Sequence, residues 1–331
     1  MVTQRERDAR RANRERSRGT TLHTNHGGIT RMTVATALAP AARPNRLLWL
    51  LQRYPLLGYF LIAYAFTAAY DLLVLARFPD GPSFPRDFGP SLAALVLTAA
   101  TAGKPGLKRL LRRLVLWRVP VGWYLFVLLG IPAIFVIGIL LVPGALASFT
   151  PPASADWLVY PGVLGFVGTL VIGGPLFEEP GWRGFALPRL QARWGPLASS
   201  LILGVLWAGW HLTEYTEPGF AATNGGLTAQ GVGAFALALI SFSVIMTWVF
   251  NHTRGSLLVA ILLHTALNWS QLVTSELFPA AGTNEVGPLV TLSLTALVLV
   301  VATRGRLGYA RAWGETGAVS AETGAANPAL A

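Results

Sequence analysis

The chain has 331 residues, of which 53% are hydrophobic and only 12% are charged, and its mean hydropathy is +0.51. Soluble domains carry about 25% charged residues, so this composition excludes an ordinary soluble domain and indicates a protein of the lipid bilayer. The formal net charge is +11, but it lies largely in an arginine-rich head and in short loops, so membrane topology explains it better than nucleic-acid binding. The absence of cysteine excludes disulfides, a thiol nucleophile and thiolate metal ligands.

The two ends of the chain are polar. Residues 1–42 are dense in arginine at their start and are predicted to be a disordered, basic cytoplasmic head. Residues 314–331 are small, polar and rich in glycine and alanine, and are predicted to be a disordered tail. The first apolar run lies too far from the N-terminus for an ordinary signal peptide, so it is expected to remain as a membrane anchor.

Apolar runs between these ends predict an all-α, polytopic membrane protein of about eight transmembrane helices, since each crossing needs about 20 apolar residues. The second run is short and is interrupted early by Pro90, so hydropathy alone supports it weakly. The runs lie at about 47–70, 89–103, 121–147, 158–180, 197–213, 231–250, 255–272 and 287–303.

Loop charges support all eight crossings. One set of alternate loops carries sixteen basic residues, whereas the other set carries two, Arg77 and Arg86. This bias is present only if the second run also crosses, and it predicts a multi-pass protein of the cell membrane with both termini in the cytoplasm. Acidic residues of the remaining loops, among them Asp87, Glu214 and Glu217, suit the outer side.

Charged residues end the fourth run, where residues 178–183 read EEPGWR. A charge inside the bilayer costs about 2.5–3.5 kcal/mol on insertion scales, so such groups normally pair, face water or take part in function. Glu179 and Arg183 are four residues apart and are predicted to form an ion pair on one helix face. Glu178 would then point about 100° away as a free carboxylate, able to act as a base. A structural role for both glutamates, as solvated charges at the helix end, is the alternative.

Two of the five histidines lie inside apolar runs. His211 ends the sequence WAGWH in the fifth run, and residues 264–268 of the seventh run read HTALN. The four-residue spacing places His264 and Asn268 on one helix face, so that both can donate into one cavity. Taken singly, each motif also fits a structural hydrogen bond between transmembrane helices.

Taken together and in this order, the three motifs resemble those of the CAAX-protease and bacteriocin-processing family, also called the type II CAAX prenyl endopeptidase-like family of intramembrane proteases. The family has Phe four residues before the first histidine; here Trp207 stands there, a change of aromatic bulk that is expected to leave the chemistry unaltered. The resemblance covers about residues 158–272, which are expected to form the catalytic core around an intramembrane cavity. Residues 43–157 would then form the first three transmembrane helices and residues 273–313 the last.

The resemblance implies an endopeptidase that acts on membrane-associated, lipidated or peptide substrates within the lipid bilayer. By position, Glu178 and His211 would activate the attacking water. His264 and Asn268 would stabilise the oxyanion. Three residues would support the shape of the site: Glu179, Arg183 and Trp207.

A second assignment makes Glu178, His211 and His264 the ligands of Zn²⁺ or another divalent metal. Two histidines and one carboxylate form a known catalytic zinc set, and such a metal lowers the pKa of its bound water. A metal-free mechanism, in which the carboxylate and a histidine activate water, fits the same residues. The sequence leaves both mechanisms open.

Two other functions use the same residue types. Buried carboxylates and histidines also form proton relays, so a proton- or ion-coupled transporter is an alternative. A non-catalytic immunity or scaffold protein of the same fold is another. Nucleic acid is not an expected partner.

The depth of the motifs raises a difficulty for a shared site. At about 1.5 Å per residue, Glu178 falls near the cytoplasmic end of the fourth run, whereas His211 falls near the outer end of the fifth. The two side chains can meet if the fourth helix runs deeper or tilts, and if residues 184–196 form an amphipathic stretch that lowers the fifth helix.

Overall fold

The computed structural model describes residues 46–78, 84–281 and 286–309, and within these ranges the chain forms helices and no strand. The predicted head and tail, residues 1–42 and 314–331, lie outside the described residues. The helices are α1 (Arg46–Arg53), α2 (Pro55–Tyr70), α3 (Phe88–Arg112), α4 (Val121–Leu140), α5 (Leu158–Ile172), α6 (Pro175–Gly181), α7 (Leu187–Trp210), α8 (Pro218–Thr223), α9 (Ala229–His252), α10 (Leu257–Leu277) and α11 (Val286–Ala302).

Several of these helices are candidates to cross a membrane. Among the described residues, five helical stretches are long and apolar enough to cross a bilayer: Pro55–Leu75, Val121–Leu140, Pro175–Thr216, Ala229–His252 and Leu257–Leu277. The apolar helices α5 and α11 are shorter. The prediction of an all-α polytopic membrane protein is therefore confirmed, whereas the count of eight crossings and the cytoplasmic placement of the termini stay predictions.

Helix α10 is the most enclosed of the five candidate spans. Of its apolar window 61% is buried, compared with 17% for the first span, Pro55–Leu75. Ser256 caps its N-terminus, where the hydroxyl accepts a hydrogen bond from the Val259 backbone N–H at 3.2 Å. Because α10 carries His264 and Asn268, the third motif lies on an enclosed helix.

The fourth apolar run is not one helix, so the predicted single crossing at 158–180 is wrong. Helix α5 ends at Ile172, and α6 begins at Pro175. Gly174 has a φ of +92°, which side-chain-bearing residues rarely adopt. Pro175 suits the first turn of a helix, where no N–H is needed. Glu178 therefore belongs to a separate helix and does not end the fourth crossing.

Gly195 reverses the chain between the first two motifs. Helix α6 continues through a π-helical turn, Trp182–Ala186, into α7, and α7 is broken where Gly195 takes a φ of +72° and a ψ of 174°. In a straight helix Trp207 would lie about 44 Å from Glu178, yet the two side chains form a hydrogen bond of 2.8 Å. The first part of α7 thus runs away from Glu178, and the second part returns to it.

This reversal removes the difficulty of depth. The helical path that carries Glu178 extends to the break at Gly195, so Glu178 lies at the start of that path rather than near its far end. The returning half of α7 brings Trp207 into hydrogen-bond contact with Glu178, and His211 follows four residues further along. The contact comes from the break and the return, whereas the sequence analysis had required a deeper or tilted fourth helix and an amphipathic stretch at residues 184–196.

Candidate active site

Glu178 is a buried carboxylate held by two indoles. Trp182 and Trp207 each donate their Nε1–H to Glu178 Oε2, at 3.1 and 2.8 Å. A Cβ at Gly174 would collide with Glu178 Oε1, so the glycine leaves the space that this oxygen occupies. The sequence predicted a free carboxylate; the structure gives it two neutral hydrogen-bond donors on one oxygen and leaves the other oxygen for a substrate or water.

Glu179 joins the first motif to the third. Arg183 Nη1 donates to Glu179 Oε1 at 3.0 Å, so the ion pair predicted from the four-residue spacing is present. The Nδ1 atom of His264 lies 2.9 Å from the same oxygen. Both members of the ion pair are fully buried. Because a carboxylate oxygen accepts, Nδ1 of His264 is the donor, and the ring is fixed in one orientation.

Trp207 lies at the centre of these side chains. Its indole N–H bonds Glu178, and the Arg183 guanidinium lies 4.3 Å from its ring centroid. Its ring packs edge-on against His264 at 5.1 Å and lies 6.0 Å from the ring of His211, centroid to centroid. A phenylalanine could not supply the N–H. The change from the family's Phe therefore adds a hydrogen bond to the carboxylate, which the sequence comparison did not anticipate.

Asn268 lies one helical turn beyond His264 on α10. Its Nδ2 donates to the Gly173 carbonyl oxygen at 3.4 Å, at the break between α5 and α6. An amide NH₂ group has two N–H donors, so one of them stays available for a second acceptor. The amide therefore lies beside the start of α6, close to where Glu178 Oε1 passes Gly174.

His211 is paired with a residue that the sequence motifs did not include. Its Nδ1 lies 2.7 Å from Oε1 of Glu214, three residues further along the chain. Glu214 is 7% exposed, although it had been interpreted as a charge of an outer loop. The three-residue spacing within a 3₁₀-helix, His211–Thr216, is the sequence signal that could have revealed this pair.

Arg86, also interpreted as an outer-loop charge, is buried in the same region. It is 5% exposed and forms ion pairs with four carboxylates. Burial alone would lower the pKa of Arg86, but these carboxylates raise it. The nitrogen–oxygen distances are 3.3 Å to Glu214, 2.5 Å to Glu217, 3.7 Å to Asp71 and 3.9 Å to Asp87. No local spacing in the sequence indicates this cluster, because Arg86 and Glu214 are far apart in the chain.

Asp87 lies beside Glu178. A Cβ at Gly174 would touch Asp87 Oδ2 at 3.4 Å as well as Glu178 Oε1, so the two carboxyl groups converge on this glycine. Burial, followed by the charges of Glu178 and Glu214, raises the pKa of Asp87 to about 9. The raised pKa favours the protonated form of Asp87, which can donate a hydrogen bond, against the opposing charge of Arg86.

The predicted metal ligands are not arranged as a three-ligand centre in the described part of the chain. Within the described ranges, no three His, Asp or Glu side chains are placed to hold one ion. Oε2 of Glu178 accepts two indole N–H groups, and the carboxylate at Nδ1 of each histidine leaves Nε2 as the ring atom that could act as a ligand. Metal binding by these residues stays a prediction.

Comparison with known proteins agrees with the motifs. Residues 160–270 match the family model described as Type II CAAX prenyl endopeptidase Rce1-like. CAAX prenyl protease 2 of Methanococcus maripaludis is 30% identical over 105 residues. The resemblance to the CAAX-protease family is confirmed. The alignment covers 31% of this chain and 38% of that relative, so the chain matches less than half of the relative's length.

The Rce1-like segment contains all three motifs, but it does not contain the whole buried group around them. Arg86 and Asp87 come from the turn before α3, outside residues 160–270. Thr67 of α2 holds this turn, since its hydroxyl donates to the Arg86 carbonyl oxygen at 2.9 Å. The first half of the chain, which carries no family motif, thus supplies two charged or titratable side chains to the site.

Proposed function

We propose that this protein is an intramembrane endopeptidase that hydrolyses peptide bonds of membrane-associated, lipidated or peptide substrates. One observation carries the proposal. Trp207 bonds Glu178 and packs against the rings of His211 and His264, and each of these histidines is held at Nδ1 by a carboxylate. Amide hydrolysis needs a base for water and preorganised donors for the oxyanion, and these residues can supply both. The match to a family of CAAX endopeptidases supports the same reaction class.

Water activation is assigned to Glu178 and His211. Since Nδ1 of His211 donates to Glu214, the other ring nitrogen, Nε2, is the one that can accept a proton. Glu178 Oε1 is the carboxylate oxygen that its indole partners leave open. One of these acceptors takes one proton of the water as the water oxygen adds to the carbonyl carbon. The C–N bond then breaks and this proton passes to the leaving amine. The water oxygen stays, with its second proton, in the new carboxylic acid, which then ionises to the carboxylate.

Oxyanion stabilisation is assigned to His264 and Asn268. The second N–H of the Asn268 amide can donate to the oxyanion while the first bonds Gly173. His264, whose Nδ1 donates to Glu179, can donate from Nε2 when its ring carries both protons. Loss of one oxyanion donor costs about 10²–10³-fold in kcat in other hydrolases, which sets the size of effect expected here.

A comparison of membrane-protein termini tests the proposal. Cells that produce the wild-type protein and cells that produce Glu178→Gln at equal abundance are analysed by mass spectrometry of protein termini. Glu276→Gln is the matched control, because Glu276 is an exposed glutamate on α10. Termini that disappear with Glu178→Gln and persist with Glu276→Gln identify a protease and its substrates. Identical sets of termini in all three strains would contradict the proposal.

Proteoliposomes separate this function from transport. A proton- or ion-coupled transporter would dissipate an imposed proton or ion gradient, and Glu178→Gln would abolish that flux. The endopeptidase is expected to give the same flux as empty liposomes. A flux that depends on Glu178 would favour transport instead.

A further inference from the structure

The two site histidines have supports of the same composition. His264 Nδ1 lies 2.9 Å from Glu179, and Glu179 lies 3.0 Å from Arg183. In the second support, His211 Nδ1 lies 2.7 Å from Glu214 Oε1, and Glu214 Oε2 lies 3.3 Å from Arg86. Each imidazole is therefore held by a carboxylate, and each carboxylate is held by an arginine.

The second support comes from outside the three motifs. Glu214 follows His211 by three residues, and Arg86 comes from the turn before α3. We propose that Glu214 and Arg86 are positioning residues of the endopeptidase site: Glu214 fixes the Nδ1–H tautomer and ring orientation of His211, and Arg86 holds Glu214 in place. This inference rests on the proposed function, since it assigns His211 Nε2 as the atom that receives the proton of water.

Arg86 is anchored well enough to hold a partner. Its carbonyl oxygen accepts from Thr67 Oγ1 at 2.9 Å, and Thr67 Oγ1 accepts from Trp210 Nε1 at 2.9 Å. Trp210 immediately precedes His211 at the end of α7. Thr67 therefore connects the backbone of Arg86 to the residue that precedes His211. This connection restrains the distance between Arg86 and His211, and with it the position of Glu214 between them.

A purely structural ion pair is the competing explanation. Arg86 also contacts Asp71, Asp87 and Glu217, so it could simply join the turn before α3 to the 3₁₀-helix after α7. Glu217 separates the two explanations, because it pairs with the same guanidinium at 2.5 Å and has no contact with His211 among those described. Glu217→Gln weakens the structural pairing and leaves the Glu214–His211 contact in place.

Nitrogen NMR tests the positioning role without any substrate. The full chain, labelled with ¹⁵N-histidine, is reconstituted in lipid, and the signal of His211 is assigned through His211→Gln. The wild-type protein and Glu217→Gln are expected to show His211 protonated at Nδ1, and Glu214→Ala is expected to lose this preference. The His264 signal serves as the internal control for folding, since its carboxylate is Glu179. An unchanged His211 signal in folded Glu214→Ala would overturn the proposal.

Kinetics on the full chain test the consequence for catalysis. With a substrate found by the comparison of termini, Glu214→Ala is expected to lower kcat by about 10²-fold or more with little change in KM, since a histidine base in the wrong tautomer loses up to about 10⁴-fold in serine hydrolases. Arg86→Ala is expected to lose part of kcat, and Arg86→Lys or added guanidinium to restore some of it.

The outcomes distinguish this inference from the proposed function. If the wild-type protein cleaves, Glu178→Gln does not, and Glu214→Ala keeps the wild-type kcat, the positioning role is wrong and the endopeptidase stands. If Glu214→Ala and Glu217→Gln lower kcat equally, Arg86 has a structural role only. If the wild-type protein and Glu178→Gln behave alike, the proposed function itself fails, and the NMR result still decides the tautomer of His211.

Discussion

Gly181 of the first motif packs directly against the backbone of Pro90 at the start of α3. A Cβ at Gly181 would lie 2.5 Å from both the carbonyl carbon and the carbonyl oxygen of Pro90. This close approach brings the turn that carries Arg86 and Asp87 up to α6. The contact therefore explains how side chains outside the Rce1-like segment come to lie beside Glu178.

Gly181→Ala should separate α3 from α6. The added methyl group has no room, and overpacking of this kind costs about 1–3 kcal/mol. We expect a lower melting temperature in detergent and lower proteolytic activity. Gly168→Ala is the control, because a Cβ at Gly168 on α5 meets nothing within 4 Å. Equal melting temperatures for the two variants would show that the contact does not constrain the helices.

Trp207→Phe should reduce activity although the family motif that the chain resembles has phenylalanine there. It keeps an aromatic ring and removes the 2.8 Å hydrogen bond to Glu178. A hydrogen bond to a charged group is worth about 1.5–3 kcal/mol, and 1.4 kcal/mol corresponds to about tenfold. We therefore expect kcat/KM to fall about tenfold. Trp117→Phe, at a largely exposed position, is the control. Wild-type activity in Trp207→Phe would contradict this prediction and would show that the aromatic ring alone is sufficient.

Asp87 should make the protein less stable as the pH rises toward 9. Its pKa is raised from 3.8 to about 9, so between these values the folded chain holds a proton that the unfolded chain does not. The free energy of unfolding then decreases with increasing pH, and the stabilisation that the proton on Asp87 provides is lost above about pH 9. Asp87→Asn removes the titrating group. Thermal unfolding from pH 5 to 10 should show a flatter decrease for Asp87→Asn; parallel curves would contradict the raised pKa.

The absence of cysteine from the chain allows a direct test of topology. In intact cells, a membrane-impermeant maleimide should label Thr216→Cys, which lies at the end of the 3₁₀-helix after α7, on the predicted outer side. It should label Arg306→Cys only after the membrane is permeabilised, because the positive-inside bias places Arg306 in the cytoplasm. The opposite labelling pattern would invert the predicted orientation.

Local spacing predicted the parts of the site that lie on one helix. The Glu179–Arg183 ion pair follows from a four-residue separation. Hydropathy indicated the helices because apolar runs of about 20 residues are typical of transmembrane helices. The two chain breaks were also visible in principle. Gly173 and Gly174 precede Pro175, and Gly195 precedes Pro196. Glycine followed by proline is typical of a helix boundary.

Long-range pairing was beyond a single sequence. Arg86 and Glu214 were interpreted as loop charges because a hydropathy pattern predicts that charged residues outside apolar runs are exposed to water. The structure buries them together because the turn before α3 folds over the end of α7, and Thr67 and Trp210 hold it there. The link between Trp207 and Glu178 likewise depends on the reversal at Gly195, whose direction the sequence does not specify.

Incorporation of ¹⁸O from water into new C-termini shows directly whether the purified protein hydrolyses peptide bonds. Wild-type protein and Glu178→Gln are incubated in H₂¹⁸O with solubilised membranes from cells that lack the protein, and newly formed C-termini are analysed by mass spectrometry. We expect C-terminal carboxylates that carry one ¹⁸O atom with the wild-type protein and none with Glu178→Gln. Equal numbers of ¹⁸O-labelled termini with the two proteins would contradict a peptidase that depends on Glu178.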